Sequence, residues 1–205
     1  MFCSGSTTRT TTVRRPWASR PLDLVFYIYF MVHIPTTILI DSQIVLPSWL
    51  YPQPLLNLSD FWHRVSGDPL MAVDQFGLDP NMVWLYTFVV AELVLQLPFF
   101  FYAARELYWD SPCIRLPLGL YGAHVATTTL PILVSAWFGY PELLLNQRYL
   151  MLAVYSPYFL VPLLMVLNTL CWAVHSGHGS RVINPLPTLS STDQSQAESI
   201  SKKTS

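Results

Sequence analysis

The chain has 205 residues, enough for one compact domain, with a formal net charge of −1 at pH 7. Apolar residues make up 52 %, aromatics 14 % and charged residues only 11 %, where a soluble domain carries about 25 % charged residues. That shortage of charge excludes a surface clothed throughout in water, and without a large basic face it excludes nucleic acid as a partner.

Residues 1–20 are rich in Thr, Ser and Arg, contain no acid, and read as a disordered cytosolic tail. The same composition also suits a mitochondrial transit peptide, which is the competing reading. Four long apolar runs follow, at 22–46, 82–104, 116–138 and 149–174. Each has about the 20 residues that a helix of 1.5 Å rise needs to cross a bilayer core of about 30 Å. An open sheet cannot leave its edges in lipid, so the runs are predicted to be helices. The expected fold is therefore an all-α, four-transmembrane-helix bundle over residues 21–175. Pro35, Pro98, Pro131, Pro157 and Pro162 lie inside the runs and are expected to kink or locally unwind them. The segment 47–80 is long for a connector. Its Trp49, Tyr51, Phe61 and Trp62 are the amphipathic aromatics of a membrane interface. Its Gly67-Asp68-Pro69 is a turn signal, which on composition makes Asp68 a turn residue. Residues 176–205 are polar, rich in Ser and Thr, and read as a solvated tail.

Orientation follows from counting Lys and Arg. Arg9, Arg14, Arg15, Arg20, Arg105, Arg115, Arg181, Lys202 and Lys203 fall on one side, against Arg64 and Arg148 on the other. Both termini are therefore expected in the cytosol. The ending Lys202-Lys203-Thr204-Ser205 resembles the dilysine retrieval signal of endoplasmic-reticulum membrane proteins, which acts only on a cytosolic C-terminus. Cys3, Cys113 and Cys171 are odd in number and scattered, which argues against a disulfide framework or a zinc site. No metal and no cofactor is expected.

The polar exceptions inside the runs carry the chemistry. They are His33 and Asp41 in the first, Glu92 and Gln96 in the second, His124 with Thr127, Thr128 and Thr129 in the third, and Asn168 near the end of the fourth. A charge at mid-bilayer costs about 2.5–3.5 kcal/mol on insertion scales, so such groups face a partner, a cavity or a bundle interior. Glu92 and Gln96 share a helix face at i, i+4, as do His124 and Thr128. Converging helices would gather these groups into a polar spot, where two close carboxyls share one proton. The functional reading is a pocket that meets a cation, or that donates a proton to an alkene. The alternative is structural: Asp41 bonding broken backbone near Pro35 or Pro47, Glu92 and Gln96 as interhelical glue, interior histidines, and threonines bonded back to their own helix.

Longer strings carry a family resemblance. They are Val32-His33-Ile34-Pro35-Thr36-Thr37, Asp41-Ser42-Gln43-Ile44-Val45-Leu46-Pro47, Leu50-Tyr51-Pro52 and Asp68-Pro69-Leu70. Further on come Glu92 to Phe100, His124 to Leu133, and Tyr155-Ser156-Pro157-Tyr158. Together they resemble the sigma-2 receptor family of the EXPERA superfamily, which also contains the emopamil-binding sterol isomerases. The resemblance implies four helices around a cavity open to the bilayer, endoplasmic-reticulum residence, and binding of sterols and lipophilic amines, with homodimers as a further implication. It assigns Asp41 to the ligand's cationic amine, Asp68 to support of the cavity, and Glu92 to a protonated partner of Asp41. That moves Asp68 from turn residue to pocket residue. Fungal members resemble a factor of mitochondrial protein targeting.

Two functions follow. One is a sterol or lipophilic-amine binding protein of lipid homeostasis or trafficking, with ligand-binding residues Asp41, Asp68, Glu92, His33, Gln96, His124 and Thr128. The other is a membrane isomerase or cyclase working through a carbocation, in which Glu92 protonates an alkene, Asp41 stabilises the cation and His124 or His33 takes the second proton. The richer ionisable set of the emopamil-binding relatives is not matched in full, which favours binding.

Overall fold

The computed structural model describes residues 14–71 and 80–179, the last four by backbone alone. The tail predictions over 1–13 and 180–205, with Arg9, Arg181 and the Lys202-Lys203 signal, lie outside the described residues. The chain divides into two units, Met1–Leu170 and Cys171–Ser205. The first holds the site. The second holds the last turns of the final helix.

Five helices order the described residues. They are α1 (Pro21–Ile44), α2 (Gln53–Ser66), α3 (Pro80–Tyr108), α4 (Pro112–Gly139) and α5 (Leu145–Gly179). α1, α3, α4 and the stretch Leu145–His175 of α5 are long and apolar enough to cross a membrane. Between 17 % and 39 % of each span's most apolar window is buried. The rest, including Ile28, Val32, Val94, Leu95, Leu120 and Leu160, faces outward. An outward apolar belt of that extent is stable only against lipid, so the protein is a multi-pass membrane protein in a bilayer.

Local sequence explains the breaks in these helices. Pro21 opens α1 at its first turn, where its missing N–H costs nothing, and Asp23 follows in the favourable half of the helix dipole. Pro98 cannot donate to the carbonyl four residues back. The helix reaches it through a π-turn at Glu92–Gln96, and a second π-turn, Ser135–Gly139, follows Pro131. The expected loosening therefore occurs as changes of helical register beside Pro98 and Pro131, while Pro35, Pro157 and Pro162 stand inside continuous α-helix. α1 ends in a 3₁₀ turn that begins at Asp41.

One prediction needs correction. The segment read as a loop contains α2, a 14-residue helix. Leu55, Leu58, Trp62 and Val65 recur at helical spacing, and Pro54 stands in the first turn. Gly67 closes the helix at φ 63°, a left-handed cap that glycine takes without steric cost. Its N–H bonds the carbonyl of His63.

Packing forms two apolar clusters. Phe26, Phe30, Phe100, Leu107, Leu118 and Met165 make one, and Ile44, Leu85, Val89, Ala136 and Met151 the other. α4 and α5 approach closely at Gly122, where a Cβ would stand 2.4 Å from the carbonyl oxygen of Pro162. Without a hydrophobic drive between helices in lipid, such small-residue contacts supply the packing.

Ion pairs clasp the end of the bundle where α1 starts. Arg115 grips Asp23 with both guanidinium nitrogens, at 2.6 and 2.7 Å. Buried Arg20 lies 3.8 Å from Asp23 and 3.5 Å from Asp110, and donates to the carbonyl of Leu107. Arg15 binds Asp110 from outside, at 2.7 and 2.8 Å. That bidentate bond brings the Asp110 carboxyl down to about 2. At the opposite end Arg148 donates to the carbonyls of Trp137, Tyr140, Pro141 and Leu143, holding the turn between α4 and α5. Among the cysteines Cys171 is free and exposed. Cys113 is disulfide-bonded, a pairing that the scattered count argued against.

Candidate functional site

His33, Thr37 and Asp41 stand at i, i+4 and i+8 of α1, so one face of that helix carries all three. Glu92 and Gln96 stand one turn apart on α3, inside the π-turn. A π-turn rotates side chains away from the positions an unbroken α-helix would give them, and such turns occur often at functional sites.

These two faces meet at a cavity of about 320 Å³, at the small end of the range for ligand pockets. His33, Asp41, Glu92, Gln96 and Thr128 all line it. The remaining wall is mostly apolar: Leu85, Phe88 and Val89 of α3, Val125 and Ile132 of α4, Val154 of α5, and Leu58 of α2.

The carboxyl of Glu92 is the centre of the polar spot. Its Oε1 accepts a hydrogen bond from the Thr37 hydroxyl at 2.6 Å. His33 Nε2 stands 3.1 Å from the same oxygen. Donor atoms of His33, Asp41 and Glu92 all lie within 4.8 Å of one another. They form a group able to hold a metal ion, although no metal was expected. The imidazole of His33 is stacked on Phe100 at 4.7 Å and flanked by the rings of Tyr29 and Tyr158 at 5.0 and 4.7 Å. It is 5 % exposed, and its Nδ1 has no hydrogen-bond partner.

Asp68 is fully buried behind the cavity wall and is not among the lining residues. Its Oδ2 accepts from Trp62 Nε1 at 3.0 Å and from the Tyr155 hydroxyl, and its Oδ1 accepts from the backbone N–H of Leu70 at 2.9 Å. Trp62 and Tyr155 both line the cavity. A carboxylate accepting three donors thus joins α2 to α5 across the wall. Ser59, also a lining residue, donates to Gln43 at 2.9 Å, and the hydroxyls of Ser42 and Tyr51 meet at 2.6 Å. These bonds fasten the 47–66 segment to the end of α1.

Not every predicted residue converges. His124 is exposed on α4 and is not among the lining residues. It shares a side of the helix with Ala123 and Thr127, which are also exposed. Thr128, one turn further, lines the cavity from the flank of that face while its hydroxyl bonds back to the carbonyls of His124 and Val125. The i, i+4 pairing placed the two on one side of the helix without saying how far that side turned inward. Thr37, Ser59, Trp62, Tyr155 and Tyr158 received no place at the cavity from the sequence, Trp62 having been read as an interfacial aromatic. The spacing of Thr37 from His33, and the Tyr155-Ser156-Pro157-Tyr158 string, were the available signals.

Comparison with known proteins gives a family match that runs from α2 into α5 and begins after α1. Residues 54–169 match the model of the EXPERA family (EXPanded EBP superfamily). Sigma intracellular receptor 2 of Xenopus tropicalis is 40 % identical over 161 residues, covering 74 % of this chain and 90 % of the relative. The Homo sapiens protein of the same name is 33 % identical over 164 residues, 74 % of this chain and 89 % of the relative. Efficient mitochondria targeting-associated protein 19 of Saccharomyces cerevisiae is 36 % identical over 156 residues, 67 % of this chain and 91 % of the relative.

Proposed function

The chain belongs to the EXPERA family, and on that footing we propose that it is a binding protein of the endoplasmic-reticulum membrane. Its ligands are sterols and lipophilic cationic amines, held by an acidic pocket within the bilayer in the service of lipid homeostasis or trafficking. The observation that carries this reading is the placement of Asp41 and Glu92 on the wall of one largely apolar cavity between membrane-spanning helices. An apolar wall suits a lipophilic body, and a carboxylate at its side suits an ammonium.

The family resemblance supplies the division of labour. Glu92 Oε1 is approached by both Thr37 and His33, and donors on a carboxyl favour its ionised form, so the proton assigned to Glu92 comes from the family resemblance and not from these bonds. On that assignment Asp41 holds the single negative charge for the ligand's cation. Asp68 braces the wall through Trp62 and Tyr155. Binding rather than isomerisation is favoured by the outward position of His124, one of the two bases that a carbocation reaction would have called on. We place both termini in the cytosol and read a homodimer as the assembly, the latter from family resemblance.

Radioligand binding of a lipophilic amine to the purified protein in lipid nanodiscs tests the mechanism. Asp41→Asn keeps the shape and removes the charge. Breaking a buried pair on one side costs about 3–5 kcal/mol, which is roughly two or more orders of magnitude in affinity. Glu92→Gln is expected to cost less, since an amide still donates where the protonated acid did. An Asp41→Asn protein that folds and binds the amine as well as the unmodified chain overturns the carboxylate anchor.

A further inference from the structure

We propose that His33, Asp41 and Glu92 also form a binding site for a divalent transition-metal ion of the zinc class, occupied in place of the amine. The inference rests on the reading of this cavity as a cation site and adds a second kind of cation to it.

The first argument is charge. A neutral imidazole and two ionised carboxylates sum to −2, which one divalent ion cancels inside an apolar enclosure. A monovalent amine reaches neutrality only while one carboxyl keeps its proton. Taking net charge out of water is costly, so the divalent ion suits this pair of acids at least as well as the amine does.

The second argument is the donor set. An imidazole nitrogen and carboxylate oxygens are ordinary zinc ligands. There is no thiolate to select a soft ion, and there are too few oxygens for the six to eight or so that calcium takes. With ligand bonds of ~2.0–2.2 Å, neighbouring donors lie roughly 3.0–3.6 Å apart. His33 Nε2 and Glu92 Oε1 are already 3.1 Å apart. The full group spans no more than 4.8 Å, so side-chain rotation suffices to close it. Three protein ligands leave the remaining position to the cavity, as in open zinc sites.

The third argument is independent of the acids. A core histidine satisfies both ring nitrogens, whereas His33 is 5 % exposed with Nδ1 unpartnered. Its ring lines the cavity beside Glu92. Nε2 is the nitrogen turned toward Glu92, so with the ring proton on Nδ1 its lone pair is free for an ion held between the two side chains. On binding, the ion displaces the proton shared by the two carboxyls, and one proton leaves to solvent per ion bound.

The probe is zinc ion alone, added to full-length protein in phosphatidylcholine nanodiscs after chelator treatment, with bound metal measured by equilibrium dialysis. The expected result is one zinc per chain, displaced by excess lipophilic amine. Asp41→Asn, Glu92→Gln and His33→Gln each weaken binding by about 100-fold or more, since even outer-shell changes cost ~10–100-fold. His175→Gln, at an exposed histidine in the second unit, leaves it unchanged. Cobalt ion on the unmodified protein supplies a readout that needs no variant: visible bands of a four- or five-coordinate nitrogen–oxygen site, quenched by the amine. Amine binding with no zinc or cobalt retained overturns this inference and leaves the binding function standing. Zinc retained while no amine binds sinks the amine reading instead. Zinc bound equally by the three variants places the metal elsewhere and overturns the site.

Discussion

Asp68 accepts hydrogen bonds from Trp62, Tyr155 and the Leu70 N–H. An amide in its place would turn an N–H₂ toward one or two of these donors. Each buried donor left unpaired costs about 1–3 kcal/mol. Asp68→Asn is therefore expected to lower the melting temperature of the nanodisc-embedded protein and to weaken amine binding together. Unchanged melting would remove Asp68 from its role as a brace. At this scale the acids were legible in the sequence, because a carboxyl inside an apolar run is conspicuous against the cost of burying it. Thr37, Tyr155 and Tyr158 were not, because hydroxyl and aromatic residues are tolerated anywhere along a membrane helix. Their roles depend on what stands opposite. The cavity was legible in kind, and its members only in part: His33, Asp41, Glu92, Gln96 and Thr128 line it, while His124 does not.

The helices show which local signals suffice. Long apolar runs marked the spans, and the structure extends α3 to Tyr108 and starts α5 at Leu145, because helices do not stop where lipid does. α2 was missed because its length falls short of a span and its charged and aromatic residues suited an interfacial loop equally well. Gly122 shows what an element's pattern cannot reveal. Nothing in the sequence distinguishes it from Gly119 or Gly139, yet a Cβ there would meet the backbone of Pro162 at 2.4 Å. A backbone carbonyl cannot turn aside as a side chain can. Gly122→Ala is expected to push α5 away from α4 and cost about 1–3 kcal/mol, the range for overpacking. Thermal melting checks it, with Gly139→Ala as the comparison, since a Cβ at Gly139 meets only the Ser135 side chain at ordinary contact distance. Equal melting of the two variants would mean that the close approach does not hold the bundle.

At the scale of the whole molecule the open question is which way the bundle faces. The uneven distribution of Lys and Arg predicts that the Arg105–Arg115 end lies in the cytosol. The clasp of Arg15, Arg20, Arg115, Asp23 and Asp110 gathers at that end. The opposite end carries α2, with the sequon Asn57-Leu58-Ser59 on it. Asn57 is exposed, but Ser59 lines the cavity and bonds Gln43. In sealed microsomes both termini are expected to be open to added protease and α2 shielded from it. Protection of a C-terminal tag would invert the topology. Asn57 is expected to be a poor acceptor despite its exposure, because Ser59 of the sequon is engaged and the segment is helical.

Composition and apolar run length alone determined that the chain lives in lipid, that it crosses four times as helices, and that Asp41 and Glu92 stand within those crossings. Each of these follows from a cost the bilayer imposes on every residue separately. Only the tertiary structure decided which acids, rings and hydroxyls meet. It turned His33 and Glu92 together, set His124 on the outside, hid Asp68 behind Trp62 and Tyr155, and made a helix of the first connector. Those outcomes depend on helix rotation, π-turn register and close approach at small residues. They are properties of pairs of helices, and no single stretch of sequence contains them.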